Sequence, residues 1–218
     1  MCGRYTELMT WRELHDLYAL TNEDFRPNLA PRYNVAPSQD VPIIKAGRVL
    51  AIVRWGLIPF WAKDEKIGYR TINARAETVA EKPSFRAAYK ARHCLIPAGG
   101  FYEWNAQDKG PKQPYYIHGR DGRPLTFAGL WESWKGPDGT IESCTIIVTE
   151  ANAFMKRLHH RMPVILDPED FDAWLDPAKG NGQALLRPCP DVWLVAYPVS
   201  TYVNKPANDD PKCIEPVS

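Results

Sequence analysis

No apolar run in this chain continues far before a proline or glycine interrupts it. The 218 residues include 20 prolines and 14 glycines, with the prolines scattered through the chain. Proline fixes φ and removes a backbone donor, so this spacing favours many short elements joined by rigid turns over a disordered region. It also leaves no stretch approaching the ~20 apolar residues that a membrane helix needs.

The short elements can be read from their patterns. Thr10-Trp11-Arg12-Glu13 has the form of a capping box, and Leu14, Leu17 and Tyr18 follow on one face of a helix. Pro83 opens a second helix running to about Arg92, and Asp167-Pro168-Glu169 starts a third, leading into Phe171, Trp174 and Leu175. Residues 30–42, rich in Pro and Asn, read as loop. Strands are expected at Val41–Ile44, Val49–Leu57 and Ser143–Thr149, and at Val192–Val199. Cys94–Trp104 reads as a strand broken by Gly99-Gly100, and Gln113–His118 with Pro124–Trp134 as a hairpin. The polar, Pro-rich end of the chain wraps the surface. Strands outnumber helices and do not alternate with them in βαβ order. The expectation is one α+β domain over residues 1–218, with a curved, mostly antiparallel, barrel-like sheet and a few flanking helices.

Charge narrows the partners. The net charge is only +1, too low for a protein that grips long nucleic acid by charge alone. A DNA role would rest on a local patch, and residues 63–92 carry eight basic against four acidic side chains. The five cysteines are odd in number and none forms a CxxC pair, so neither a disulfide framework nor a zinc site is expected. With no secretory signal at Met-Cys-Gly-Arg-Tyr-Thr, the chain reads as cytoplasmic.

Several residues could do chemistry. If Met1 is trimmed, Cys2 carries an α-amine and a thiol, with ordinary pKa values of about 8 and 8.5. An aldehyde can form a Schiff base with the amine, and the thiol can then close a thiazolidine ring. Read alone, a Cys in this place is far more often an ordinary second residue. Asn73 and Arg75 suit a substrate oxygen or terminal amine and a phosphate respectively, or a loop and a surface. Glu103 follows Gly99-Gly100 in an aromatic strand, with Phe101 on its own face and Tyr102 and Trp104 on the other. Desolvation there raises a carboxyl towards useful acid/base values. His159 and His160 suit proton transfer, and their spacing does not say which faces a site. Phe60 and Trp61 could stack bases, while Trp55 reads as core.

The ordered combination is more specific than any part. Met1-Cys2-Gly3-Arg4-Tyr5, Tyr33-Asn34-Val35-Ala36-Pro37, Arg54–Pro59, Asn73-Ala74-Arg75-Ala76-Glu77, Gly99–Trp104, His159–Pro163 and Ile214-Glu215-Pro216 together resemble the SRAP family, the SOS response-associated peptidases. The resemblance implies an α+β fold with a positively charged DNA groove, no cofactor and no metal. It implies covalent capture of abasic sites in single-stranded DNA by Cys2, with Asn73 positioning the reacting end and Glu103 as general acid/base. His159, matching the first position of an H-x-R-[MR]-P pattern, would assist deoxyribose ring opening. It implies DNA contacts from Arg4, Trp61, Arg75, Lys82, Arg86 and Thr149. Where some members carry Arg before the following helix, this chain has Pro83, with Lys82 and Arg86 nearest. A monomer is expected, associated with the nucleoid when on DNA, with replication-fork proteins as further partners. Two other readings use the same residues: a cysteine peptidase with Cys2 as N-terminal nucleophile, and a non-covalent reader of damaged DNA.

Overall fold

A computed structural model describes residues 2–107, 110–179 and 182–217. In chain order its strands are β1 (Tyr5–Glu7), β2 (Arg32–Val35), β3 (Asp40–Lys45), β4 (Val49–Trp55), β5 (Asn73–Arg75), β6 (His93–Ala98), β7 (Gly100–Asn105), β8 (Gln113–Gly119), β9 (Leu125–Gly136), β10 (Gly139–Glu150), β11 (Arg161–Pro163) and β12 (Leu194–Pro198). The helices are α1 (Trp11–Tyr18), α2 (Arg86–Ala91), α3 (Ala153–Lys156), α4 (Phe171–Leu175) and α5 (Gly182–Leu185).

The strands form two sheets. The first runs β12-β8-β7-β1-β2, antiparallel throughout. The second runs β11-β10-β4-β3-β6-β9, and β9 also pairs with β10, so five of its strands close into a ring. The fold is the expected α+β arrangement with a barrel-like sheet. Its two parallel pairings are those of β10 with β4 and with β5.

β10 shows why its sequence is apolar at nearly every position. Cys144, Ile146 and Val148 face the interior core, while Ile147 faces a second core under the helices. A strand buried on both faces loses the polar alternation of a half-exposed one. On the second core lies α1, begun by the expected capping box: Thr10 N–H donates to Glu13 Oε2 at 2.7 Å and Glu13 N–H to Thr10 Oγ1 at 3.3 Å. Its buried Tyr18 stacks on Phe171 of α4 and bonds Thr126 Oγ1 at 2.7 Å.

The double glycine transfers the chain between sheets. β6 ends at Ala98 in the closed sheet, and β7 begins at Gly100 in the other. A Cβ on Gly100 would lie 2.6 Å from the Ile117 carbonyl oxygen, so only glycine allows this approach.

Four local expectations are corrected. Residues 30–42 contain β2 and the start of β3, because their backbone pairs with β1 and β4. β8 and β9 are not a hairpin; β8 lies between β7 and β12, and β9 pairs with β6 and β10. The helix after Pro83 starts only at Arg86, behind a turn. Cys94–Trp104 is two strands in two sheets. Among the described residues no helix is long and apolar enough to cross a membrane.

Candidate active site

The path of β1 and β7 brings Cys2 and Glu103 together. Tyr5 of β1 pairs with Phe101, so the residues before Tyr5 run beside those after Phe101. Phe101 faces the interior core that also holds Cys2, whereas Tyr102 and Trp104 face a cluster beneath the C-terminal segment. By alternation Glu103 shares the face of Phe101. It is 3% exposed, and Cys2 is fully buried. Burial pushes the Cys2 thiol far above its ordinary value, and the Glu103 carboxylate adds to the rise. Burial also raises the Glu103 carboxyl. At neutral pH the thiol therefore keeps its proton, and Glu103 holds one more readily than an exposed carboxyl.

The third member arrives on a loop. α3 is capped by Asn152, whose Oδ1 accepts the Met155 N–H at 2.8 Å, and it ends in a turn that presents His159. His159 Nδ1 lies 3.9 Å from Glu103 Oε1, 3.0 Å from the Arg161 backbone nitrogen and 3.1 Å from the Arg161 carbonyl oxygen. The Arg161 backbone thus holds the ring in either tautomer. Burial lowers the His159 pKa, which favours the neutral ring. His160 is exposed and stacks on His159 at 4.3 Å. Of the two histidines, His159 is the one beside Glu103.

Asn73 begins β5, opposite Ile146 near the end of β10. There β5 pairs with Ile146–Val148 on one edge and β11 with Val148–Glu150, while Arg161 and Glu77 join at 2.5 Å. Asn73 Nδ2 donates to the Ile72 carbonyl at 3.0 Å, but its buried Oδ1 has no hydrogen-bond partner among the described residues. A buried acceptor without a donor costs about 1–3 kcal/mol, and a ligand N–H would remove that cost.

The expected DNA contacts divide. Arg75, Lys82 and Arg86 are exposed. Trp61 is 46% exposed, beside Phe60 at 58%, and its indole donates to the Pro83 carbonyl at 3.2 Å. The Trp61 bond to Pro83 sets that ring beside the segment that carries Lys82 and Arg86. Thr149 is buried on β10 between β5 and β11. Arg4 is turned inward. It donates to Asn34 Oδ1 at 2.7 Å and to the Val203 and Asn204 carbonyls at 3.0 and 3.4 Å. That geometry makes it a tie between the N-terminal segment and the C-terminal strap.

Two residues that sequence reasoning missed hold this arrangement. Asn34 is fully buried, and its Nδ2 lies 2.7 Å from the Asn208 carbonyl and 3.0 Å from those of Val203 and Lys205. Asn105 Nδ2 donates to the carbonyl of Arg157 at 2.8 Å, bracketing the His159 loop. A signal existed for Asn105, which stands two places beyond Glu103 on the same strand face. For Asn34 it was an Asn within an otherwise apolar Tyr-Asn-Val-Ala-Pro run.

Known proteins resemble this chain in sequence and in fold. The family model described as SOS response associated peptidase (SRAP) matches residues 1–206. The chain is 46% identical to the abasic site processing protein YoqW of Bacillus subtilis, over 99% of each chain. It is 34% identical to the abasic site processing protein HMCES of Gallus gallus, over 86% of this chain and 66% of that one. A crystal structure of a protein from Bacteroides thetaiotaomicron superposes with a TM-score of 0.90 at 29% identity, covering both chains completely.

Proposed function

This chain belongs to the SOS response associated peptidase family, and from that premise we propose that it captures abasic sites in single-stranded DNA covalently through Cys2. Relatives named as abasic site processing proteins support the substrate class. The observation that carries the chemistry is the shared burial of the Cys2 thiol with Glu103, itself 3.9 Å from His159.

The steps follow from the protonation states. Met1 is first removed by hydrolysis of its peptide bond, by the protein itself or by a separate aminopeptidase. The freed amine is the opening nucleophile, because burial keeps the thiol protonated. His159 assists opening of the deoxyribose ring to its aldehyde. The amine adds to the aldehyde carbon while Asn73 Oδ1, without a donor among the described residues, accepts an amine N–H. Its amide also steadies the oxygen as negative charge develops. Glu103 protonates that oxygen, which leaves as water and forms the imine. The thiol then adds to the imine carbon, and its proton passes through Glu103 to the nitrogen. The product is a thiazolidine, formed with net loss of one water. Without the aldehyde, the strand is shielded from cleavage by elimination.

The exposed Arg75, Lys82 and Arg86 hold phosphates near the site, with Trp61 as a stacking surface and Thr149 near the backbone. The protein acts as a monomer, and replication-fork proteins are further partners.

The test is a single-stranded oligonucleotide with one abasic site, followed by denaturing gel and intact mass. Native protein should give a denaturant-resistant adduct, lighter by one water than Met1-less protein plus DNA. Cys2→Ala should give none. An equally stable adduct from Cys2→Ala would overturn the thiazolidine.

A further inference from the structure

Tyr115 of β8 stands directly opposite Glu103 in the sheet register. Directly opposite residues share a face, so the Tyr115 ring adjoins the candidate site. On that face a cavity of about 310 Å³ opens between the sheet and α3, lined by Asn105, Tyr115, Phe154, Arg157 and Ala196. A second cavity of about 430 Å³ continues past Phe154 and Arg157 to Arg120 and Val192. Both fall within the ~300–1,000 Å³ range of small-ligand pockets. The two adjoin at Phe154 and Arg157, which line both, and form a surface groove whose inner end is at Tyr115, the register partner of Glu103.

The groove's chemistry is specific. The Arg157 guanidinium lies 4.8 Å over the Phe154 ring, a flat cationic platform. Among the described residues neither Arg157 nor Arg120 has a carboxylate partner; their Nε groups donate to the carbonyls of Phe154 and Val192. The acid in the wall, Asp191, accepts the Phe154 N–H at 3.1 Å at the start of α3. Lys112 adds positive potential felt at both Glu103 and His159. Two aromatic rings and two arginines without carboxylate partners among the described residues, in a groove whose inner end is lined by Asn105 and Tyr115, suit a base and its phosphate better than an apolar or cationic ligand. A guanidinium can stack by its face and donate from its edge at once.

We propose that this groove holds the nucleotide next to the abasic residue, its base on the Arg157–Phe154 platform beside Tyr115 and its phosphate on Arg157 and Arg120. The inference rests on the abasic-site reading above and extends the bound strand along the groove beside α3.

The experiment uses strands carrying a tetrahydrofuran abasic analogue, which has no aldehyde and so reports binding alone. Fluorescence anisotropy is followed over a range of salt. Arg157→Ala should weaken binding at least fivefold and reduce the slope of log K against log salt by about 0.7, the value for one phosphate contact on a single strand. Phe154→Ala should weaken binding at least fivefold, in line with the loss of one stacked base. That effect should disappear when the neighbouring nucleotide, tested 5′ and 3′ in turn, is also made abasic. Phe154→Leu keeps the apolar packing and should show the same selective loss if the alanine variant folds poorly. Affinities within twofold of native, with unchanged slopes, sink the subsite. If native protein forms no adduct with an aldehyde-bearing strand, the abasic-site reading fails and the subsite falls with it. A normal adduct alongside unaffected binding by the groove variants removes the subsite alone.

Discussion

Glu7 and Glu103 are buried carboxyls near opposite ends of the paired strands β1 and β7, 2% and 3% exposed. Burial is the main cause that raises both. Their neighbours differ. Glu7 accepts the Met9 N–H at 3.1 Å, and with Arg32 that bond pulls its pKa back down, leaving it at about 7. Glu103 instead faces a thiol and an imidazole. A raised carboxyl pKa therefore does not mark a site. What marks one is a second reactive group within reach, together with a polar atom such as Asn73 Oδ1 left without a hydrogen-bond partner among the described residues.

The sharpest way to break this comparison is to neutralise each carboxyl in turn. Glu103→Gln keeps the shape and loses the proton carrier, so adduct formation should slow by about 10²–10⁴-fold, the usual worth of general acid–base catalysis. Glu7→Gln should leave the rate within threefold. Quenched time courses on denaturing gels measure both. Equal slowing by the two variants would mean that burial at either end matters in the same structural way.

The second effect is on stability. Unfolded Glu7 titrates near its ordinary value of 4.5, and folded Glu7 at about 7. Between these values the folded state binds more protons, so this group's contribution falls as pH rises and the loss is complete above about 7. The size is ~3 kcal/mol. Glu7→Gln should thus stabilise the protein by about that amount at pH 8.5 and by little at pH 4, measured by urea unfolding. A gain independent of pH would show that Glu7 is ionised in the folded state throughout.

Arg4 gives a third, smaller contrast, with Arg75. Arg4→Ala removes hydrogen bonds from a charged donor to the C-terminal strap and should cost about 2 kcal/mol of stability. It should leave the salt dependence of DNA binding unchanged. Arg75→Ala should do the reverse, with stability unaltered and the salt slope reduced by about 0.7. A reduced slope for Arg4→Ala would return it to the phosphate contacts.

That contrast also shows what the sequence could express. Local signals were legible where one segment decides the outcome. The Thr10–Glu13 capping box and the alternation of Phe101, Tyr102, Glu103 and Trp104 both appear in the structure. Choices made by distant segments were not. β8 and β9 look like a hairpin because both alternate and lie close in sequence. Which sheet each joins is set by the crossing at Gly99-Gly100, one sheet away. Arg4 carries the charge of a phosphate contact, but its direction is set by carbonyls about 200 residues later. Short strands such as β1, β5 and β11, three residues each, have too few positions to show a period. Among the candidate site residues, type and order were readable. The preference for His159 over His160 came from the resemblance, whereas the 3.9 Å approach of His159 to Glu103 needed the fold.

The smallest expected effect tests how β7 governs the Glu103 end. Asn105 sits two residues beyond Glu103 and donates to the carbonyl of Arg157, two residues before His159. One strand thus fixes both the carboxyl and the loop that brings the imidazole to it. Losing a single hydrogen bond of this kind is worth about 1 kcal/mol, or roughly fivefold in the fraction of loops correctly placed. Asn105→Ala should slow adduct formation by about that factor on an abasic strand whose sugar must open. On a strand bearing a permanently open-chain aldehyde the difference should vanish, because His159 has no ring to open there. Equal slowing on both strands would show that Asn105 supports Glu103 itself, and the two functions of β7 would collapse into one.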